Sequence, residues 1–192
     1  MLARTHDLAA ITALAVVVAV HPFGEMTLST VLIALLANQI GGIAPDVDQP
    51  TAPFWRNLPI AHIFGSFFGK LLGGHRFLSH SLLGVGLFAF LAKLLLEFLS
   101  PVMPKVDIQI VWYAFIIGML SHLIMDTITK EGVPWLLPIP IKFGIPPIRA
   151  FRITTGKKME TLVVLPILLV TNIWIFHTNY PEIVAYLHHL KR

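Results

Sequence analysis

IQIVWYAFIIGMLSHLIMDTI, residues Ile108–Ile128, is the stretch that decides the fold. It carries no lysine, arginine or glutamate, and its one aspartate stands near the end. A helix needs about 20 apolar residues to cross a bilayer, and this run supplies them. The same run closes on Ser121-His122-Leu123-Ile124-Met125-Asp126. Residues i and i+4 share a helix face, so His122 and Asp126 can hold one ion or two adjacent ions. Taken alone, the pair has a plainer reading as a capping histidine and a helix-end aspartate. An aspartate at a helix C-terminus opposes the dipole and needs a partner. Ionisable groups at membrane depth are costly enough to point to function.

Four further hydrophobic stretches flank this one: Leu8–Val20, Leu28–Ile43, Phe77–Leu99 and Leu162–Phe176. The first and last are short, and the second carries Asn38 and Gln39. Neighbouring helices in a bundle can cover such segments. Composition agrees: the 192 residues are 56% hydrophobic and 12% charged, against about 25% charged in a soluble domain. The reading is therefore an all-α integral membrane bundle of about five helices, forming a single domain over residues 1–192. Residues 1–25 resemble a signal peptide only loosely, because Asp7 interrupts the charged start and no small-x-small cleavage site follows. The segment is read as retained. The chain has no cysteine, which excludes disulfides and thiolate metal ligands.

Basic residues set the expected orientation. Arg4, Arg56, Lys70, Arg76, Lys130, Lys142, Arg149, Arg152, Lys157 and Lys158 fall on one side of the five spans. Lys105, Lys191 and Arg192 fall on the other, and Lys93 lies within a span. This bias predicts a cytoplasmic N-terminus. No nucleic-acid-binding surface is evident. Residues Pro59–Leu72 place apolar side chains at helical spacing, the pattern of an amphipathic interfacial helix or of a helix packed on the bundle. Residues Val133–Pro147 hold five prolines and read as an extended, turn-rich cytoplasmic flap. Within and after it, Ile139–Phe143 and Ile148–Ile153 are candidates for a short hairpin.

The polar residues cluster in a way that composition does not require. Asp46 and Asp48 follow Gly41-Gly42 and Pro45 at the end of the second stretch. Two carboxylates on an irregular loop can both turn inward, although Asp and Pro are also ordinary turn residues. The glycine and distal glutamate of a calcium EF-hand loop are missing. His75 is placed just before the third helix and His80 one turn inside it, flanking Arg76, whose fork of donors suits anions. Interfacial snorkelling of Arg76 is the plainer alternative. His6 is expected just before the first helix, and Glu160 opens the fifth. Because helices alternate direction, starts of odd helices and ends of even ones share a side. His6, Asp46, Asp48, His75, His80, His122, Asp126 and Glu160 then all meet at one end. This is what a hydrolytic metal centre needs.

The ordered set Thr5-His6, Gly-Gly-x-x-Pro-Asp-x-Asp, His-Arg-x-x-x-His-Ser and Ser-His-x-x-x-Asp-x-x-Thr resembles the YdjM-type family over nearly the whole chain. That resemblance implies a bacterial inner-membrane, metal-dependent hydrolase, in some members regulated by the SOS repressor LexA. More distantly the pattern is similar to the zinc-dependent phospholipase C and P1 nuclease superfamily. Its helical His-x-x-x-Asp matches His122 and Asp126, but its second His-x-x-x-Glu does not, since Gly156 precedes Glu160 by four. The N-terminal amine that ligates metal in the soluble relatives has no obvious counterpart at Met1. The implied chemistry is hydrolysis of a phosphoester, with a membrane lipid as one substrate class. One or two divalent ions, zinc first and manganese or iron as alternatives, would sit on His6, Asp46, Asp48, His75, His80, His122, Asp126 and Glu160. Asp46 or Asp48 would orient or deprotonate the attacking water. Arg76 with Lys157 or Lys158 would hold the phosphate. The competing expectation is a transporter or a metal-binding membrane protein without hydrolysis. Transport sites gather near the midplane, whereas these residues gather at an end. The absent H-E-x-x-H argues against a zincin protease.

Overall fold

The computed structural model describes residues 1–24, 26–49, 76–139 and 141–189. Among the described residues, six α-helices follow one another: α1 (Ala3–Val20), α2 (Leu28–Ile43), α3 (Leu82–Leu99), α4 (Ile108–Thr127), α5 (Leu165–Thr178) and α6 (Tyr180–His189). A π-helical stretch, Glu160–Val164, leads into α5. Tight 3-10 turns at Ala44–Asp48 and Leu78–His80 end α2 and precede α3. Among the described residues, five segments are long and apolar enough to span a bilayer: Ala3–Val20, Leu28–Asp48, Leu82–Val102, Ile108–Thr127 and Glu160–Thr178. The protein is an integral membrane helical bundle, and among the described residues its only β pairing is two isolated bridges.

The helices begin where the chain supplies a cap. Thr27 Oγ1 accepts from Thr30 N, Ser81 Oγ from Gly84 N, and Asp107 Oδ1 from Gln109 N and Ile110 N. Each satisfies amides that a helix start otherwise leaves open, which matters most where no water reaches. The cap at Ser81 corrects the sequence expectation for the third helix. α3 starts at Leu82, so His80 lies before it in the 3-10 turn rather than one turn inside. Conversely, α1 starts at Ala3, so His6 is within the helix and not ahead of it. The chain also turns at Asn179 into α6, a helix that hydropathy alone does not announce.

α4 is the central helix. Over half of its span (56%) is buried within the protein, against 11–33% for the others, whose apolar side chains face outward as lipid contact requires. Its closest neighbour is α2. A Cβ at Gly41 would stand 2.1 Å from the Phe115 carbonyl oxygen, and a Cβ at Gly118 would stand 2.1 Å from that of Asn38. Only glycine at both positions permits this backbone contact, the small-residue packing by which membrane helices associate. Asn38 Nδ2 donates across the same crossing to the Ala114 carbonyl at 3.1 Å.

The segment after α4 is not the hairpin expected from the sequence. Val133 pairs with Phe143 in an antiparallel bridge, and Thr129 pairs with Ile153 in a parallel one. Neither joins 139–143 to 148–153. Instead the segment folds back on the end of α4: Ile145 N donates to Thr127 O and Ile153 N to Ile128 O. Trp135 Nε1 adds a bond to Thr127 Oγ1. α4 ends with carbonyls that need donors, and this segment provides them. The expected interfacial stretch Pro59–Leu72, together with Arg56, Lys70 and His75, lies outside the described residues.

Candidate metal centre

Four elements converge at one end of the bundle: the first turns of α1, the turn after α2, the turn before α3 and the last turns of α4. His6, His80, His122, Asp48 and Asp126 are buried there, and Asp46 is the most open member, with its side chain 24% exposed. Among the described residues, two groups have ligand atoms close enough to hold an ion: Asp46, His80 and His122, and His6, His122 and Asp126.

The contacts resolve these groups atom by atom. His80 Nε2 lies 3.6 Å from Asp46 Oδ1 and 3.7 Å from Asp126 Oδ2. His122 Nε2 lies 3.6 Å from the same Asp46 oxygen and 3.8 Å from the same Asp126 oxygen. Each imidazole nitrogen thus faces both carboxylates at nearly equal separation. Ligands bound tetrahedrally at about 2.0–2.2 Å stand about 3.3–3.6 Å apart, so the four nitrogen–oxygen separations of this ligand cage are slightly wider than those around a bound zinc.

The neighbours fix which nitrogen of each ring carries the lone pair. His122 Nδ1 stands 2.6 Å from the Gly42 carbonyl oxygen. A carbonyl can only accept, so Nδ1 carries the proton and Nε2 faces the cage as a base. His80 is set by a relay. Ser79 Oγ donates to Asp48 Oδ2 at 2.5 Å, because a carboxylate accepts, and so accepts in turn from His80 Nδ1 at 3.0 Å. His80 Nε2 is then also a base directed at the cage. Backbone carbonyls and carboxylates behind ligating histidines are the usual outer partners of metal sites. Among the described residues, the buried His122 Nε2 makes no hydrogen bond, which is costly in a protein interior unless a ligand satisfies it.

The two expected aspartates therefore separate in role. Asp46 contributes to the cage. Asp48, fully buried, accepts from Ser79 and from the backbone N–H of Arg76, and orients rather than faces the centre. Asp126 has one oxygen for each group. Its Oδ1 stands 3.4 Å from His6 Nε2 and 2.5 Å from the Met1 amine, which is itself 3.0 Å from His6 Nε2. The Met1 nitrogen is thus beside the cluster, contrary to the sequence expectation. The His6 and His122 rings stack at 3.7 Å, with planes 7° apart.

Arg76 is not an open anion receptor. Its side chain is buried, with Nη2 at 2.5 Å from Asp126 Oδ2 and Nη1 bonded to Thr129 Oγ1 at 3.1 Å and 3.3 Å from Glu131. Its backbone sits at φ 58°, a left-handed conformation that costs a non-glycine residue of order 1–3 kcal/mol and is found where surrounding contacts enforce it. Glu160 is also placed differently from a ligand. Its carboxylate accepts from Leu2 N, Thr5 Oγ1 and Gly156 N, each at 2.7 Å. It fastens the start of α1 to the start of the last span. Lys157 and Lys158 are exposed at the same end, and His75 is outside the described residues.

Ser79, the Gly42 carbonyl, Thr129 and the Met1 nitrogen escape a reading of the sequence as a set of ligands. Ser79 had a visible signal, lying beside His80 in a short polar run just ahead of an otherwise apolar helix. The Gly42 carbonyl had none, because every residue has one.

A family model described as YdjM inner membrane protein matches residues 1–185. The Inner membrane protein YdjM of Escherichia coli (strain K12) is 31% identical over 146 residues, covering 73% of this chain and 64% of that protein. Its Shigella flexneri counterpart matches with the same identity and coverage. A Bacillus subtilis (strain 168) protein, YvsG, described as uncharacterized, is 30% identical over 125 residues, 65% of this chain and 66% of its own length. The match thus spans just under two thirds of the two YdjM proteins. No solved structure matches.

Proposed function

The chain belongs to the YdjM inner membrane protein family, and from the His/Asp cluster at one end of its helical bundle we propose a metal-dependent hydrolase acting on a phosphoester at the membrane surface. The observation that carries the reading is the cage of His80 Nε2, His122 Nε2, Asp46 Oδ1 and Asp126 Oδ2, with both histidine tautomers set from behind. Two nitrogens and two carboxylate oxygens suit zinc, and also manganese or iron. A second ion would be held by His6 and Asp126. His122 has a single lone pair to offer and is assigned to the first.

Bound there, a divalent ion supplies Lewis acidity to a phosphoryl oxygen and to water. The chain's own groups supply the rest. Asp46 is the partly open member of the cage, so it is the carboxylate that can orient a water and take its proton. Asp48 holds His80 through Ser79. Arg76 adds a fixed positive charge beside Asp126, and Lys157 and Lys158 offer mobile ones nearby for the anionic substrate. The location at the end of the spans, beside the headgroup layer, favours a lipid phosphoester presented from the inner leaflet in the orientation that the basic residues predict.

The test is metal analysis of the detergent-purified protein together with hydrolysis of a phosphoester panel. Wild type should carry one or two equivalents of a transition metal and cleave at least one ester. H122A and D126A should lose both properties. Normal metal content in both variants would reduce the cluster to a hydrogen-bonded helix end and defeat the reading.

A further inference from the structure

The segment between α4 and the last span has an inner and an outer side that differ sharply. Inside, Thr129, Val133 and Leu137 are buried, and the backbone bonds to the end of α4, to Trp135 and across the two bridges are satisfied. Outside, Ile145, Ile148 and Phe151 are 62%, 60% and 72% exposed, and Ile139, Ile141 and Phe143 are exposed beside them. These six large apolar side chains are covered by nothing in the described protein, yet they lie outside the spans. Lone exposed apolar residues are ordinary, but six within one segment, residues 139–151, mark a contact surface. The charges around them have one sign: Lys130, Lys142, Arg149, Arg152, Lys157 and Lys158 stand against a single acid, Glu131, between residues 128 and 159. Glu131 is in turn engaged by Arg76.

We infer that this segment is a membrane-interface anchor that seats its outer isoleucines and phenylalanines in a leaflet rich in anionic phospholipid. Three observations converge on that occupant. The segment is tied by hydrogen bonds to the membrane end of α4, so its outer face lies at the headgroup level. Its apolar side chains suit the headgroup–acyl boundary, into which interfacial segments bury about 5–10 Å. Its basic residues match the negative surface of such a leaflet. With six basic residues against the single acid Glu131, the face matches a continuous anionic surface of headgroups. Because Arg76 and Trp135 join this segment to the cluster and to α3 through Thr129, Thr127 and Leu82 N, the anchor also fixes the mouth of the site relative to the bilayer. The inference does not depend on hydrolysis.

The chain has no cysteine, so single spin labels can be placed without background. The full chain carrying I145C, I148C or F151C is reconstituted in nanodiscs of phosphatidylethanolamine with phosphatidylglycerol, or of phosphatidylcholine alone. Nitroxide depth is read from accessibility to oxygen against a water-soluble nickel chelate. All three labels should favour oxygen in the anionic discs, at a depth of about 5–10 Å below the phosphates. They should become shallower in phosphatidylcholine, and K130Q/K142Q should reproduce that shift in the anionic discs. Free access of the nickel chelate in both lipids would overturn the anchor. Exclusion of both reagents would show that protein covers the face and would overturn it equally. Equal depth in both lipids would refute the part played by the basic residues.

Discussion

Gly118→Ala tests whether the crossing of α2 and α4 is what makes the metal centre. Gly118 stands one turn before His122. Its added methyl would lie 2.1 Å from the Asn38 carbonyl oxygen and 2.8 Å from Gly42 N, both of them backbone that no rotamer change can clear. Ordinary contact begins at 3.4 Å, so α2 must withdraw by about 1.3 Å. The same withdrawal would stretch the 2.6 Å bond from His122 Nδ1 to Gly42 O to about 3.9 Å, beyond the range of a hydrogen bond. Two separable effects are expected. Overpacking should cost about 1–3 kcal/mol of stability. Loss of the partner behind a ligating histidine should weaken metal binding by about 10–100-fold. The assays are thermal unfolding in detergent and competitive titration with a chelating indicator. Gly86→Ala is the control, since nothing lies within 4 Å of its added methyl. A Gly118→Ala protein that is destabilised but binds metal with wild-type affinity would sever the crossing from the site. No change in either property would refute the close approach itself.

Other expectations follow from single contacts. Ser79→Ala breaks the relay from Asp48 to His80 and should lower metal affinity by about 10–100-fold, with full occupancy regained at excess metal; unchanged affinity in the titration would remove Ser79 from the site. Glu160→Ala leaves Leu2 N, Thr5 Oγ1 and Gly156 N without their acceptor, at about 1–3 kcal/mol each if they stay dry. It should lower the unfolding temperature while an ion on Asp46, His80, His122 and Asp126 is retained, and loss of all metal would instead make Glu160 a ligand. In intact cells, an impermeant maleimide should label a cysteine placed at Gly24 and spare one at Pro147, and the opposite pattern would invert the orientation predicted from the basic residues.

The architecture was legible because lipid imposes coarse, length-dependent rules. The five apolar runs correspond to five described segments long and apolar enough to span, and the alternation of helix direction brings His6, Asp46, His80, His122 and Asp126 to one end. Boundaries were less legible. The start of α1 is set by bonds from Leu2 and Thr5 to Glu160, about 155 residues away in sequence, and no local propensity announces them. The start of α3 was within reach, because Ser81 is an ordinary N-cap residue preceding the apolar run. Among the site residues, His122 and Asp126 could be read directly from i and i+4 spacing. The division of labour between Asp46 and Asp48 could not, since two residues apart on a 3-10 turn they point to different neighbours, one to His122 and the other to Ser79.

That division explains why the centre stands at the ends of the spans rather than within them. A regular helix presents ligands only at fixed spacings on one face. The cage needs Asp46 and His80 from chain segments that approach α4 from different directions, and both come from 3-10 turns just outside α2 and α3. Irregular backbone of this kind is tolerated at membrane depth only where protein or a polar cavity satisfies it. Here the satisfaction is specific: Arg76 N donates to Asp48, Ser79 donates to the same carboxylate oxygen, and Ser81 Oγ donates to Leu78 O. Asp48 thus stabilises the turn and orients His80 with one oxygen. Asp48→Asn would keep the shape but weaken acceptance from Ser79. If the turn and the tautomer are set together, stability and metal affinity should fall in the same variant. A fall in only one would separate the two roles.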